Sequence, residues 1–509
     1  MTGKGATKAL IALLIAAVVI SSGCLSSSDR DETGDSIFTS AMNEYLKANY
    51  RTASALFEDA SQAYSLEGEV TRSIRATNWK FICQRMTLEF PFTRAEAEVL
   101  LEEAFPNMPR ETRNAWLDND STEKLISDGE VLYYEQFIQN IRFRNLELIR
   151  EMMEGIGHTP IYDSEAIRNI VWNATPLHEG PYLNPIQFHG WGNLSVPRDE
   201  LPENGTLELW IPHPVTTSSQ VNVKIVSIEP WEYIVHQPDV YADLGLAYLE
   251  IPLNEIKGDL EVTIEFTFTE YEMRFSVDPE EVGEYDEGSS EYIHYTRTSE
   301  NIVVDQEIRE LALSIVGNET NPYLQAQKIY WYVVDNIPYS LVPHLYLSTA
   351  GIPESQYVHE MGHGDCGAQS SYFCALCRSI GIPARDIGGN QLVPGTAGNH
   401  FWAEFLVPNY GWVPADVTIA EIADWSFDAT DEERTTFKEF YFDNLDPYRF
   451  IIQKDFDIPM NPDPVNAILF RTVHQAPSAV CLTSQTDVEL TMYYHWEFDI
   501  DPIGGEYTQ

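Results

Sequence analysis

Apolar positions change period along this chain, and the changes divide it. From Asp35 to about Gly157 they recur every three or four residues, the spacing of one helical face, with no strand-like alternation.

Ala41, Tyr45, Ala48, Asn49, Tyr50, Ala53, Phe57 and Ala60 resemble one tetratricopeptide unit and predict a helical hairpin, since small residues let two helices approach closely while aromatics fill the gap. From about Thr159 to Glu300 the period falls to two. Leu260 to Phe268 alternates without a break, and Leu207 to Ile211, Val221 to Ile228 and Ala247 to Ile251 are further runs, separated by Pro, Asn and Gly. Regular short strands of this kind predict a β-sandwich.

Beyond residue 300 the two periods mix. Gly364 breaks what precedes it, Asp365 is a good N-cap, and Gly381 with Pro383 ends the helical run, so a helix is predicted to begin at Cys366. His400 to Val407 then alternates as a strand, with His400, Trp402 and Glu404 on one face. Asn409-Tyr410-Gly411 turns the chain into a second short strand, Trp412 to Asp416. Tyr448 to Gln453 and Val488 to Phe498 are expected to complete the same sheet. The organisation expected is therefore helical over 35–157, a β-sandwich over 158–300, an α+β core over 301–460, and strands over 461–509 that finish the core.

Chemistry concentrates in that core. A thiol at a helix N-terminus faces unpaired N–H groups and the positive end of the dipole, which favour the nucleophilic thiolate. His400 follows 34 residues later and Asp416 16 after that, on strands that can lay a carboxylate beside an imidazole. Taken singly, His400 and Asp416 read as a satisfied strand histidine and a turn aspartate. Jointly with Cys366 they make the nucleophile, base and orienter of covalent acyl transfer.

Gly364-Asp365-Cys366, Leu376 to Arg378 with Gly381-Ile-Pro-Ala-Arg385, His400-x-Trp402-x-Glu404 and Gly411-Trp-Val-Pro-x-Asp416-x-Thr418 occur in this order. In these motifs the chain resembles the transglutaminase-like superfamily, a papain-related group of transglutaminases, cysteine proteases and peptide amidases. Tyr330 to Tyr339 resembles the helix that precedes the family's nucleophile, so the resemblance covers roughly residues 300 to 460. It implies a papain-like α+β fold, a helix bearing the cysteine packed on an antiparallel sheet. It also implies a Cys366, His400, Asp416 triad acting on the amide bonds of a protein or peptide substrate without a cofactor, the Cys366 N–H serving as first oxyanion donor. No tryptophan lies between Trp331 and Cys366, where crosslinking members carry one, so the second donor is unassigned.

A rival motif overlaps the site. His359-Glu360-Met361-Gly362-His363 fits the H-E-x-x-H of zinc peptidases. Gly362 and Gly364 interrupt the unbroken helical turn that it needs, so the segment before Gly364 is expected to be a loop, with His359, His363 and Trp402 lining the cleft and no metal bound. Gly362 to Gly367 also fits G-x-G-x-x-G, but no hydrophobic strand precedes it. Cys374 and Cys377 form a C-x-x-C pair within the predicted helix, on the Cys366 side, and are expected to pack in the core.

Composition sets the remaining bounds. Length 509 with 44% hydrophobic residues fills several cores. The formal charge of −48, from 79 acidic and 31 basic residues, excludes nucleic acid as a partner. Lys4 and Lys8 precede an apolar run from Leu10 to Ile20 that ends in Ser-Ser-Gly23-Cys24, which predicts a signal peptide over 1–23, a lipidated Cys24 and a tether over 24–34. Export makes Asn119, Asn173, Asn193, Asn204 and Asn318 candidate glycan acceptors. The reading is an exported, lipid-anchored thiol peptidase or amidase facing outward, with a protein partner possible at the helical region. Protein crosslinking, a non-catalytic surface interaction protein and the zinc peptidase stand as alternatives.

Overall fold

The computed structural model describes residues 33–155, 164–174, 180–393, 396–464, 474–482, 487–489 and 495–503. Cys24, the signal peptide and nearly all of the tether lie outside the described residues. Among those described, no helix is long and apolar enough to cross a membrane.

The chain forms two compact units, residues 1–94 with 124–133, and residues 95–123 with 134–509. In the first, helices Gly34–Tyr45, Tyr50–Glu67 and Val70–Leu88 pack through fully buried Ala41, Ala53, Ala60 and Ala76, with Phe57 stacked on Trp79. Gly68, in the left-handed region at φ 79°, closes the second helix. The expected hairpin is present, but one hairpin does not make a tetratricopeptide array. Nor is the region wholly helical. Strands Phe92–Thr93, Glu130–Tyr133 and Lys124–Ser127 form a small sheet around the turn Asp128-Gly129, both residues at positive φ. That dipeptide favours a two-residue hairpin, a signal that the helical spacing around it concealed.

The second unit holds three sheets. One sandwich sheet runs Asn444–Leu445, Leu260–Arg274, Tyr182–Val196, His495–Pro502, with Gln220–Glu229 also paired to Leu260–Arg274; the other runs Asp487–Glu489, Ser478–Leu482, Thr206–Pro212, Leu246–Pro252. Alternate residues Leu260, Val262, Ile264, Phe266 and Phe268 of the first meet Leu207, Leu209, Ile211, Leu249 and Ile251 of the second in one buried core. The C-terminal strands thus complete the sandwich rather than the 301–460 core. The reason is local: Val480 and Cys481 pair with Glu208 and Leu207, and Phe498 and Ile500 with Gly192 and Gly190, where the sandwich offers open strand edges.

The third sheet carries the candidate site. It is antiparallel, in the order Gly411–Ala415, Thr396–Val407, Ala384–Val393, Arg449–Gln453. The helix Cys366–Ser379 packs against it, and every residue from Gly367 to Ser379 is buried. Two of its polar members are matched to their surroundings: Ser371 donates to Asp386, and Arg378 donates to both oxygens of Asp455 and to the Ala384 carbonyl. Cys374 and Cys377 are free thiols fully inside this core, in keeping with a packing role. Phe450 and Ile452 face the sandwich core while Ile451 joins the helical one, so this edge strand ties the two together.

Gly389 is where that tie is most sensitive. A Cβ there would stand 1.7 Å from the Phe450 carbonyl oxygen, a backbone atom that cannot swing away. Gly389→Ala is therefore expected to cost roughly 1–3 kcal/mol, read from urea denaturation; an unchanged midpoint would refute the pairing of these two strands.

Candidate active site

Asp365 builds the site from the chain upward. Its Oδ1 accepts the Ala368 N–H at 3.2 Å, capping the helix, so Cys366 occupies the first helical position as the sequence implies. The backbone N–H of Phe401, the residue after His400, acts on the Cys366 thiol in favour of the thiolate. The thiol is pushed well above its ordinary range, first by burial and next by the Asp365 carboxylate, with Phe401 acting in the opposite direction. The helix tip favours the thiolate, while burial and a carboxylate one residue away act against it at this partly exposed thiol.

His400 is the base that the sequence predicts. It is 2% exposed, and its Nε2 lies 2.8 Å from Asp416 Oδ2, leaving Nδ1 as the free ring nitrogen of this pair. Asp416 does not belong to the strand predicted for it. The strand ends at Ala415, and Asp416 caps the short helix Val417–Glu421 through Oδ1, which accepts from Ile419 N–H at 3.1 Å. Both oxygens are thereby fixed. Burial opposes the Asp416 charge, but His400 and the Arg449 guanidinium outweigh it and hold the carboxyl down to about 2.

Arg449 was not legible as a site residue. Its Nη1 donates to Asp416 Oδ2 at 2.7 Å and its Nη2 to Asp446 Oδ2 at 2.6 Å, all three side chains being fully buried. Its guanidinium carbon also lies 5.1 Å from the centre of the Trp402 ring, which stacks on His400 at 6.0 Å and 22°. The available signal was a lone arginine opening an apolar run, Arg449-Phe-Ile-Ile, since a charge buried in such a strand must be paired.

Of the three residues expected to line the cleft, two are buried. Trp402 is wholly buried beneath His400. His363 is buried as well, within reach of Arg144, the Ser121 carbonyl and Glu123, and burial together with Arg144 pushes it down to about 3. His359 is partly exposed and touches the Tyr372 hydroxyl. The segment before Gly364 is also not a loop: residues Glu354–Met361 are helical, and Gly362 in the left-handed region ends the helix before His363. His359 and His363 therefore do not share a helical face, and the zinc motif lacks the geometry it needs.

Residues 309–417 match the model of the transglutaminase-like superfamily, a stretch that contains Cys366, His400 and Asp416 but not Arg449. An uncharacterized protein of Haemophilus influenzae is 27% identical over 203 residues, 34% of this chain and 54% of its own length. The chain thus spans about half the length of the curated relative it matches. Among solved structures, similarity extends to "a Putative Cysteine Protease from Cytophaga hutchinsonii", with 14% identity, 64% of this chain, 94% of that one and a TM-score of 0.39. It extends also to the periplasmic domain of TgpA from Pseudomonas aeruginosa, with 12% identity, 52% and 99% coverage and a TM-score of 0.23.

Two outcomes follow from the buried charges. Arg449→Met leaves Asp416 and Asp446 without their common cation and is expected to cost about 3–5 kcal/mol, measured by chemical denaturation at neutral pH; a loss below about 1 kcal/mol would contradict the pairing. Because Asp416 is depressed in the fold, its contribution of about 2–3 kcal/mol is present above its unfolded value near 3.9 and disappears as pH falls toward 2. Urea denaturation of wild type and Asp416→Asn across that interval should show the gap between them closing with acid, and a gap that widened would mean that the fold raises Asp416 instead.

Proposed function

We propose that the transglutaminase-like domain at 309–417 is the catalytic part of a thiol acyl-transfer enzyme, a cysteine peptidase or amidase acting on a protein or peptide. The observation that carries this reading is the buried His400–Asp416 pair, backed by Arg449, in a chain that also sets the Cys366 thiol at a helix tip. In the proposed cycle His400 takes the Cys366 proton through Nδ1, since Nε2 is engaged by Asp416, and the sulfur attacks the amide carbonyl. The Cys366 N–H stabilises the oxyanion. The imidazolium then returns its proton to the departing amine, leaving an acyl-thioester that water hydrolyses with His400 again as base. Transfer to a lysine amine would diverge only at that last step. Asp416 orients the imidazole and balances its charge, and Arg449 keeps Asp416 ionised.

The compartment belongs to the same proposal. A signal peptide ending before Cys24 would deliver the enzyme as a lipid-anchored surface protein, and Cys24→Ser expressed in a bacterial host is expected to shift it from the membrane to the soluble fraction. Retention after that change would mean a different tether.

For the chemistry, incubation with an electrophilic peptide and peptide mass spectrometry should place the adduct on Cys366. Cys366→Ala abolishes it with the fold intact, and His400→Ala lowers the acylation rate on the order of a hundred- to ten-thousand-fold. An adduct mainly on Cys374 or Cys377, or chelator-sensitive turnover that survives His400→Ala, would overturn the assignment.

A further inference from the structure

Three helices meet at one imidazole just before the nucleophile. His344 opens the helix His344–Ala350, Glu354 opens Glu354–Met361, and Asp365 caps Cys366–Ser379. His344 Nδ1 lies 2.8 Å from Glu354 Oε1, and Nε2 lies 2.6 Å from Asp365 Oδ2. Glu354 and Asp365 are both buried, at 1% and 7% exposure. An ionised carboxylate only accepts hydrogen bonds, and a neutral imidazole has a single N–H, so a ring facing two ionised carboxylates carries a proton on both nitrogens. The other arrangement that satisfies both contacts leaves the proton on Glu354, which burial raises overall, and a neutral ring that donates to Asp365.

We propose that His344 is a standing imidazolium, clamped by Glu354 and Asp365, that holds the cap of the nucleophile helix and thereby positions Cys366 and tunes its reactivity. This rests on the reading of Cys366 as the reactive thiol. Asp365 divides its two oxygens between the jobs, Oδ1 on the Ala368 N–H and Oδ2 on His344. Its carboxylate is also the largest charge acting against ionisation of the Cys366 thiol. A cation bonded to that carboxylate neutralises it where it matters. The remaining field agrees: burial works against a charged His344, but Asp365 and then Glu354 outweigh it and hold the ring well above its ordinary value. Glu354 is raised by burial and lowered by His344, while Asp457, which accepts from Asn301, acts on it through space. The Tyr357 hydroxyl feels the Asp365 charge. His344 touches no reacting atom and is a positioning residue.

Two measurements on the full chain test this. In ¹³C,¹⁵N-histidine-labelled protein, one of the 12 histidines should remain doubly protonated at about pH 8.5, two units above the ordinary range; if every histidine is neutral there, the clamp is wrong. Iodoacetamide alkylation, mapped by peptide mass spectrometry, reads the thiol. His344→Gln is expected to move the pH profile of Cys366 upward by roughly one unit, about a tenfold slower rate at neutral pH, and His344→Lys, which keeps a cation, to recover part of the loss. An unchanged profile in folded His344→Gln overturns the positioning role. Failure of wild-type Cys366 to react would instead overturn the enzyme reading, and the histidine spectrum would still decide the clamp.

Discussion

One buried guanidinium holds the centre of this structure. Arg449 stands between Asp416 and Asp446 with no exposed atom among the three side chains, and removal of ions from water on this scale costs several kcal/mol for each unless the geometry is close and the remaining lone pairs are used. In this site they are used. Asp446 also accepts from the Tyr448 N–H and the Tyr441 hydroxyl, and Asp416 from Ile419 and His400. The strand Arg449–Gln453 pairs with Ala384–Val393 next to the base strand, and its Phe450 and Ile452 enter the sandwich core. The residue that fixes the charge behind the base is thus anchored to the strand that joins the sandwich to the catalytic sheet. Changes in sandwich packing would reach Asp416 through this one short strand.

The nucleophile helix shows the opposite economy. Its residues from Gly367 on are all buried, so neither register nor tilt can adjust without disturbing the core, and the thiol at its tip is held by the helix rather than by a loop. Rigid elements position reacting groups more closely than loops do, which suits a reaction sensitive to displacements of an ångström. Ser371 donates to Asp386 of the sheet, and Arg378 donates to the Ala384 carbonyl and to Asp455, so these two side chains fix the helix against the sheet and the loop that follows it.

How much of the structure was readable follows from the kind of signal each part leaves. Leu260–Phe268 alternates because one face is buried and the other wet, and the strand was legible, though it runs on to Arg274. Its neighbour Tyr182–Val196 was not. Gly190 and Gly192 occupy positions where a Cβ would strike the rings of Phe266 and Trp496, so neighbours' aromatics fill the middle of its buried face and its own apolar residues, Phe188, Leu194 and Val196, are interrupted in sequence. The meeting of His400 with Asp416 was legible because their spacing across the turn between two adjoining strands lets an imidazole reach a carboxylate, and the two lie 2.8 Å apart. Arg449 and His344 were not, because their partners are distant in sequence and only the fold brings them near. The His359 and His363 reading failed for a related reason: a motif spacing assumes a continuous helix, and Gly362 at φ 73° ends it one residue too soon.

The buried charges also decide when charge separation occurs. Asp416 shares Oδ2 between His400 and Arg449, and Arg449 carries its positive charge at any accessible pH. The orienting carboxylate is therefore ionised whether or not the imidazole holds a proton, and it is already in place when the thiol gives its proton up. In the proposed cycle the Cys366 thiol gives its proton to His400 as the sulfur attacks a substrate carbonyl, next to a carboxylate whose charge was fixed beforehand. Protonation of the base and attack by the nucleophile are coupled in that cycle, since each supplies the charge that makes the other favourable.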